Sequence, residues 1–222
     1  MGWLSQSLNS SIGKKFIMAV TGISLILFLI IHLLNNLSMY LGPEVYSTLV
    51  KSLDGIKPLI RIIEVILALV FIFHIFNGVK LWIENRKARP EKYAVNGSSK
   101  NSTFFSRTMI HSGSIILIFL VIHLNTMWYS FNFGEAHATH DYYYFVANIF
   151  HTNIIYSLFY ILAMLLLGFH LNHGFQSAFQ TFGWNHKKYF PLIEKIGLIY
   201  AIVMAIGFAS IPVYFLFFYG GN

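Results

Sequence analysis

The sequence lacks cysteine altogether: none of its 222 residues is one. The chain therefore cannot hold an iron–sulfur cluster through thiolates, attach haem through thioethers or form a disulfide. Charge is also scarce, since 10% of the residues are Asp, Glu, Lys or Arg, against about 25% in a soluble domain. Hydrophobic residues make up 56% of the chain. This composition argues against a water-soluble protein and indicates one that is dissolved in lipid.

Five apolar stretches are each long enough to cross the ~30 Å hydrocarbon core of a bilayer as a helix. They cover residues 16–37, 59–83, 108–131, 154–178 and 193–218. The first begins after Lys14 and Lys15 and continues too far for a cleavable signal peptide. We therefore predict an all-α fold in which residues 1–222 form a single membrane domain, a bundle of five transmembrane helices.

The positive residues are divided unequally between the two ends of these helices. Three of them, Lys51, Lys57 and Arg61, lie at one end, and twelve lie at the other. The twelve are Lys14, Lys15, Lys80, Arg86, Lys87, Arg89, Lys92, Lys100, Arg107, Lys187, Lys188 and Lys195. Positive loops stay on the cytoplasmic side, so the pattern predicts a cytoplasmic N-terminus and a C-terminus outside. Because this topology explains the net charge of +7, the charge does not indicate a nucleic-acid partner, and we expect none.

Four histidines lie inside the predicted helices, where an ionisable side chain usually marks function. His32 and His123 lie ~22–24 Å from the cytoplasmic boundary, at about 1.5 Å of rise per residue. His74 and His170 lie ~22–24 Å from the outer boundary, because their helices run the other way. We name His32 and His123 the outer pair, and His74 and His170 the inner pair.

Short repeats link the members of each pair. The tripeptide Ile-His-Leu occurs around His32 and again around His123. A Phe-His dipeptide followed four residues later by Gly occurs at His74 and again at His170. The first two helices are thus a weak repeat of the third and fourth.

Two imidazoles that face each other across a bundle can take both axial positions of one haem iron. A single histidine in a helix more often has a packing role, but four histidines in two layers favour two b-type haems and electron transfer. Gly78 and Gly174 are expected to leave room for a porphyrin. The second ring nitrogen of each ligand is expected to donate to a backbone carbonyl one turn earlier. His173 is the alternative to His170 as a ligand.

The sequence around these histidines resembles a known family. The matching segments are residues 10–15 (SSIGKK), 19–22 (AVTG), 29–32 (LIIH), 73–78 (FHIFNG) and 169–184 (FHLNHGFQSAFQTFGW). In this order they resemble the cytochrome b membrane subunit of succinate dehydrogenase and fumarate reductase, in its five-helix, two-haem form. The resemblance covers nearly the whole chain.

The resemblance implies ligands, partners and a location. His32 and His123 would bind the iron of the distal haem b, and His74 and His170 that of the proximal haem b. The chain would be the non-flavin subunit of an enzyme, a succinate:quinone oxidoreductase, in a bacterial inner membrane. An iron–sulfur subunit and an FAD-containing flavoprotein would dock on its cytoplasmic face and carry the dicarboxylate chemistry. The resemblance also implies membrane lipid and a quinone substrate as partners, with menaquinone the expected quinone. It further implies a dimer of the whole complex.

Glu64 is the candidate catalytic residue for quinone chemistry. It lies about 8 Å below the outer boundary, close to the depth of the outer pair. A carboxylate beside a quinone can exchange protons as electrons move. The alternative is an ion pair at the membrane interface with Arg61, three residues earlier on the same helix face.

Two other classes of protein share paired histidines within a membrane. Ascorbate-dependent and hydrogenase-linked di-haem cytochromes would lack the patterns at residues 10–15 and 169–184. A proton-coupled transporter would use the histidines as a relay and would be colourless. An absorption spectrum separates the transporter from both kinds of cytochrome.

Overall fold

The computed structural model describes residues 2, 6, 7, 9–88 and 104–220, and every regular element in this part of the chain is helical. The helices are α1 (Ser11–Leu37), α2 (Pro43–Asp54), α3 (Lys57–Lys87), α4 (Phe104–Arg107), α5 (Met109–His123), α6 (Tyr129–Asn132), α7 (Glu135–Thr139), α8 (Tyr142–Thr152), α9 (Ile154–Thr181) and α10 (Phe190–Phe217). A 3-10 turn, Ser38–Leu41, extends α1, and a π-helical turn, Leu124–Trp128, joins α5 to α6. The predicted all-α fold is confirmed. Arg89, Lys92 and Lys100 lie outside the described residues.

Five stretches of helix in the described part are long and apolar enough to cross a membrane. They are α1, α3, the continuous run that begins with α5, α9 and α10. Their ends lie within five residues of the predicted ones, apart from the run that begins with α5, which continues to Thr139, eight residues past its predicted end. For example, α3 begins at Lys57, and Pro58 occupies its first turn, where a missing N–H costs no helical hydrogen bond. The five predicted spans are confirmed, and the side of the membrane that each end faces stays a prediction.

Two shorter helices, α2 and α8, occupy connections for which no helix was predicted. Gly42 has a positive φ of 95° and is followed by Pro43, the first residue of α2. The side chain of Asp141 accepts a hydrogen bond from the backbone N–H of Tyr144 and caps α8. The two helices pack together and against the end of α10 in one buried cluster that includes Tyr46, Tyr143, Phe150 and Phe215. We name α2 and α8 the cap.

Four of the long helices surround a common centre. α1 packs along α3 on one side and along α9 on the other, and α9 also packs along α5. By contrast, α3 and α5 meet only sparsely. The helices α1 and α5 therefore face each other diagonally, as do α3 and α9. Each histidine pair lies on one of these two diagonals.

The fifth long helix, α10, lies against the outside of α9 and makes with it the most extensive helix–helix contact in the part of the chain that the structure describes. Small residues, among them Ala201, Ala205 and Ala209, are buried along α10. A Cβ added to Gly168 of α9 would lie 2.8 Å from the Cβ of Ala205. Lipid gives apolar helices little reason to associate, so close packing at small residues must hold such an interface.

We expect Gly168→Ala to force α9 and α10 apart and to destabilise the protein by about 1–3 kcal/mol, as overpacking does elsewhere. The measurement is the midpoint temperature for unfolding of the purified protein in detergent. Gly55→Ala is the matched control, because its new Cβ would meet only the carbonyl oxygen of Ser52, at 3.4 Å. Equal midpoints for the two variants would contradict the close-packing argument.

Candidate functional site

The structure brings together the two members of each predicted histidine pair. The ring centres of His32 and His123 lie 5.9 Å apart, and their planes are inclined by 82°. Those of His74 and His170 lie 6.3 Å apart, with an inclination of 66°. Each pair spans the centre of the four-helix arrangement from one diagonal helix to the other.

This spacing fits two imidazoles on opposite sides of one metal ion. A metal–imidazole bond is about 2.0 Å long, so two such rings have centres roughly 6.3 Å apart when both bind the same ion. Neither pair has a third ligating side chain, since no group of three or more His, Cys, Asp or Glu that could hold a metal occurs in the described part of the chain. Two imidazoles do not complete the coordination of an iron ion, and a porphyrin would supply the remaining nitrogens.

The two pairs occupy different levels of the bundle. A Cβ added to Gly22 would lie 3.5 Å from the Cε1 atom of His74, and one added to Gly113 would lie 3.5 Å from the Cε1 atom of His170. Gly22 and Gly113 each precede a histidine of the outer pair by ten residues. Ten helical residues rise about 15 Å, so the two layers are separated by about that distance. The same contact occurs in both halves of the weak sequence repeat, since a glycine of α1 or α5 faces a histidine of the inner pair.

Hydroxyl groups of the neighbouring helices hold the inner pair. The Oγ1 atom of Thr21 lies 3.2 Å from the Nδ1 atom of His74, and the Oγ atom of Ser112 lies 3.4 Å from the Nδ1 atom of His170. Each hydroxyl donates its own hydrogen to a backbone carbonyl, that of Ile17 or Met109. Its oxygen therefore accepts from the Nδ1–H group, which leaves the lone pair on Nε2 free for a metal.

The outer pair is held differently. The ring of His32 stacks on Phe28 and also contacts Phe208, and its Nδ1 atom faces the amide of Asn36 at 3.4 Å. The same amide nitrogen donates to the backbone carbonyl of His32 at 2.8 Å. The Nδ1 atom of His123 lies 3.2 Å from the hydroxyl of Tyr160.

The prediction that backbone carbonyls hold the second ring nitrogens is therefore wrong. Side-chain groups contact all four Nδ1 atoms, and those at His74, His123 and His170 come from a different helix. At His74, His123 and His170 the physical reason is that the ring reaches a neighbouring helix, so its Nδ1 atom lies beside the side chains of that helix. Small hydroxyl residues on an adjacent helix are free to approach the imidazole from the side.

The glycines expected to leave room for a porphyrin differ from each other. A Cβ on Gly174 would meet no atom within 4 Å, whereas one on Gly78 would lie 3.2 Å from the terminal methyl carbon of Met18. Space is thus present beside His170, and a flexible thioether fills it near His74. His170 also contacts Ser112, next to Gly113, and pairs with His74. This geometry supports His170 over His173 as the partner of His74.

Glu64 belongs to a polar cluster near the level of the outer pair. Arg61 donates to Glu64 at 2.6 Å and to the side-chain oxygen of Asn132 at 2.8 Å. The indole N–H of Trp128 donates to the other carboxylate oxygen at 3.1 Å. The ion pair with Arg61 was predicted, whereas Trp128 and Asn132 were not. The π-helical turn that follows His123 ends at Trp128, and such turns often occur at functional sites.

Comparison with known proteins supports one family. The sequence model of the succinate dehydrogenase/fumarate reductase transmembrane subunit matches residues 16–96. The matched segment includes His32, Glu64 and His74, and it ends before His123 and His170. No curated protein sequence and no solved structure gives a significant match to the chain. The resemblance predicted from the sequence is confirmed over residues 16–96, where the chain is similar to the succinate dehydrogenase/fumarate reductase transmembrane subunits.

Proposed function

We propose that this chain is the membrane anchor and electron-transfer subunit of a succinate:quinone oxidoreductase, and that it holds two b haems. The family match supports the anchor role. The observation that carries the haem assignment is the pair of ring distances, 5.9 Å and 6.3 Å, on the two diagonals of the bundle. When bound, the two haems supply one-electron transfer along the bundle.

The four histidines would hold the two haem irons through Nε2. Thr21 and Ser112 accept hydrogen bonds from the Nδ1–H groups of the inner pair and so fix the tautomer of each ring. Phe28 and Phe119 stack on His32 and His123 and exclude water from the outer pair. Ligation by two imidazoles would leave no open position on the iron and would favour electron transfer over oxygen chemistry.

Glu64 is the group that we propose exchanges protons with quinone, menaquinone being the expected substrate. Quinone chemistry needs protons as well as electrons, and a carboxylate within hydrogen-bond reach can supply them. Arg61 also donates to Asn132, so it stays in place when Glu64 takes up a proton. Trp128 keeps one carboxylate oxygen oriented.

The electrons must come from other subunits. The chain has no cysteine, so an iron–sulfur subunit carries the clusters and an FAD-containing flavoprotein carries the dicarboxylate chemistry. Both dock on the predicted cytoplasmic face, where most Lys and Arg lie, in a bacterial inner membrane. The complex as a whole can dimerise.

A haem count and an activity measurement on the purified complex test this proposal. We expect the α band of haem b after reduction with dithionite, two haems per chain by pyridine haemochrome, and oxidation of succinate by the co-purifying subunits. A colourless preparation would favour the proton-coupled transporter. Two haems without succinate oxidation would favour a di-haem cytochrome of another class.

A further inference from the structure

Tyr160 of α9 is a buried phenol next to the outer pair. The residue is 6% exposed, and its hydroxyl oxygen lies 3.2 Å from the Nδ1 atom of His123. Three aromatic rings enclose it, those of Tyr156, Phe119 and Phe150, with centres 4.4, 4.8 and 5.1 Å away. Phe150 belongs to the cap. The phenol is therefore held firmly against the imidazole.

A chain of hydroxyl groups continues from Tyr160 to the backbone. The hydroxyl oxygens of Tyr160 and Tyr156 lie 2.6 Å apart, and the hydroxyl of Tyr156 lies 2.6 Å from the Oγ1 atom of Thr126. Thr126 donates to the carbonyl of Ile122 at 2.8 Å. Four hydrogen-bond contacts thus connect the imidazole of His123 to a backbone carbonyl.

The hydroxyl oxygen of Tyr160 faces two donors. Tyr156 donates its single hydrogen to it at 2.6 Å. Iron ligation through Nε2, as proposed above, puts the remaining hydrogen of His123 on Nδ1. The oxygen of Tyr160 is therefore the acceptor for this Nδ1–H group, and the hydrogen bond from Tyr156 competes for the same oxygen.

We propose that Tyr160 is a positioning residue for His123 and that it lowers the midpoint potential of the outer haem, an inference that rests on the proposed function. An acceptor at the Nδ1–H group makes the imidazole more basic. A more basic axial ligand stabilises ferric over ferrous iron and so lowers the potential.

A redox titration of the purified complex, followed at the α band, tests this role. The outer haem is identified as the one that His32→Ala removes. We expect Tyr160→Phe to raise its midpoint potential and to change the electron paramagnetic resonance g values of its ferric form, while the inner haem is unaffected. Tyr156→Phe keeps the acceptor and removes the hydrogen bond that competes for it, so this variant is expected to lower the potential of the outer haem.

Tyr200→Phe is the matched control. The hydroxyl of Tyr200 donates to the carbonyl of Ile26 at 2.9 Å, so this variant loses a phenol hydroxyl that touches no histidine, and both potentials should stay unchanged. An unchanged or lowered outer potential in Tyr160→Phe, with two haems bound, would overturn the inference and leave the proposed function standing. If Tyr160→Phe loses the outer haem, Tyr156→Phe decides, and an unchanged or raised outer potential in that variant would overturn the inference. A wild-type complex without haem would instead overturn the proposed function.

Discussion

His74→Ala and His170→Ala should each reduce the haem content of the complex from two per chain to one. The two rings face each other at 6.3 Å, so removing either leaves a single axial nitrogen and an open position in a buried layer. The remaining haem should be the outer one, because its ligands lie about 15 Å away along the bundle. Pyridine haemochrome content per chain measures the loss, and succinate oxidation coupled to quinone should disappear with it.

His173→Ala is the control for this experiment. His173 lies on the same helix, three residues after His170, and it is half-buried. Its removal should leave two haems per chain, since Ser112 and Gly113 position His170 opposite His74. Two haems in His170→Ala together with one in His173→Ala would reassign the inner ligand to His173.

Glu64→Gln should abolish quinone-linked succinate oxidation while both haems and dye-linked succinate oxidation persist. Glutamine keeps the shape of the side chain and can still accept the hydrogen bond from Trp128. It cannot take up a proton, and it cannot form the ion pair with Arg61. The assay compares electron transfer to a quinone analogue with transfer to a soluble dye in the same preparation.

A second carboxylate on α3 provides the control. Glu84 accepts two hydrogen bonds from Lys14, at 2.6 and 2.8 Å, at the opposite end of the helix from Glu64. Glu84→Gln also breaks an ion pair of α3, yet it should leave quinone turnover intact. Normal quinone turnover in Glu64→Gln would assign Glu64 to the interfacial ion pair alone.

The layers of histidine could be predicted from the sequence because depth in a membrane helix follows directly from residue number. The same calculation places Glu64 ten residues before His74 and Tyr160 ten residues before His170, both near the level of the outer pair. It could therefore have drawn attention to Tyr160. Depth does not reveal which face of a helix meets its neighbour, and so the contact between Tyr160 and His123 required the packed structure.

The cap had weaker signals in the sequence. The Gly42–Pro43 step and the capping Asp141 are both typical helix starts, but neither precedes an apolar run long enough to span a bilayer. The cap helices are instead defined by their burial against α10. The hydrogen-bond partners of the Nδ1 atoms could not be predicted from the sequence either, because they depend on how each helix is rotated against the next.

The sparse packing of α3 has a consequence for the stability of the protein in the cell. The one buried residue that the structure describes in α3 is Asn77, and the helix packs mainly on α1. A haem bound between His74 and His170 would bridge α3 to α9 and complete its packing. Ligand binding of this kind adds about 4 kcal/mol of stability when the free ligand is a thousand-fold above its dissociation constant. Haem supply would then limit how much of the protein accumulates. In chains made without haem, α3 would pack on few neighbours and would be accessible to membrane proteases.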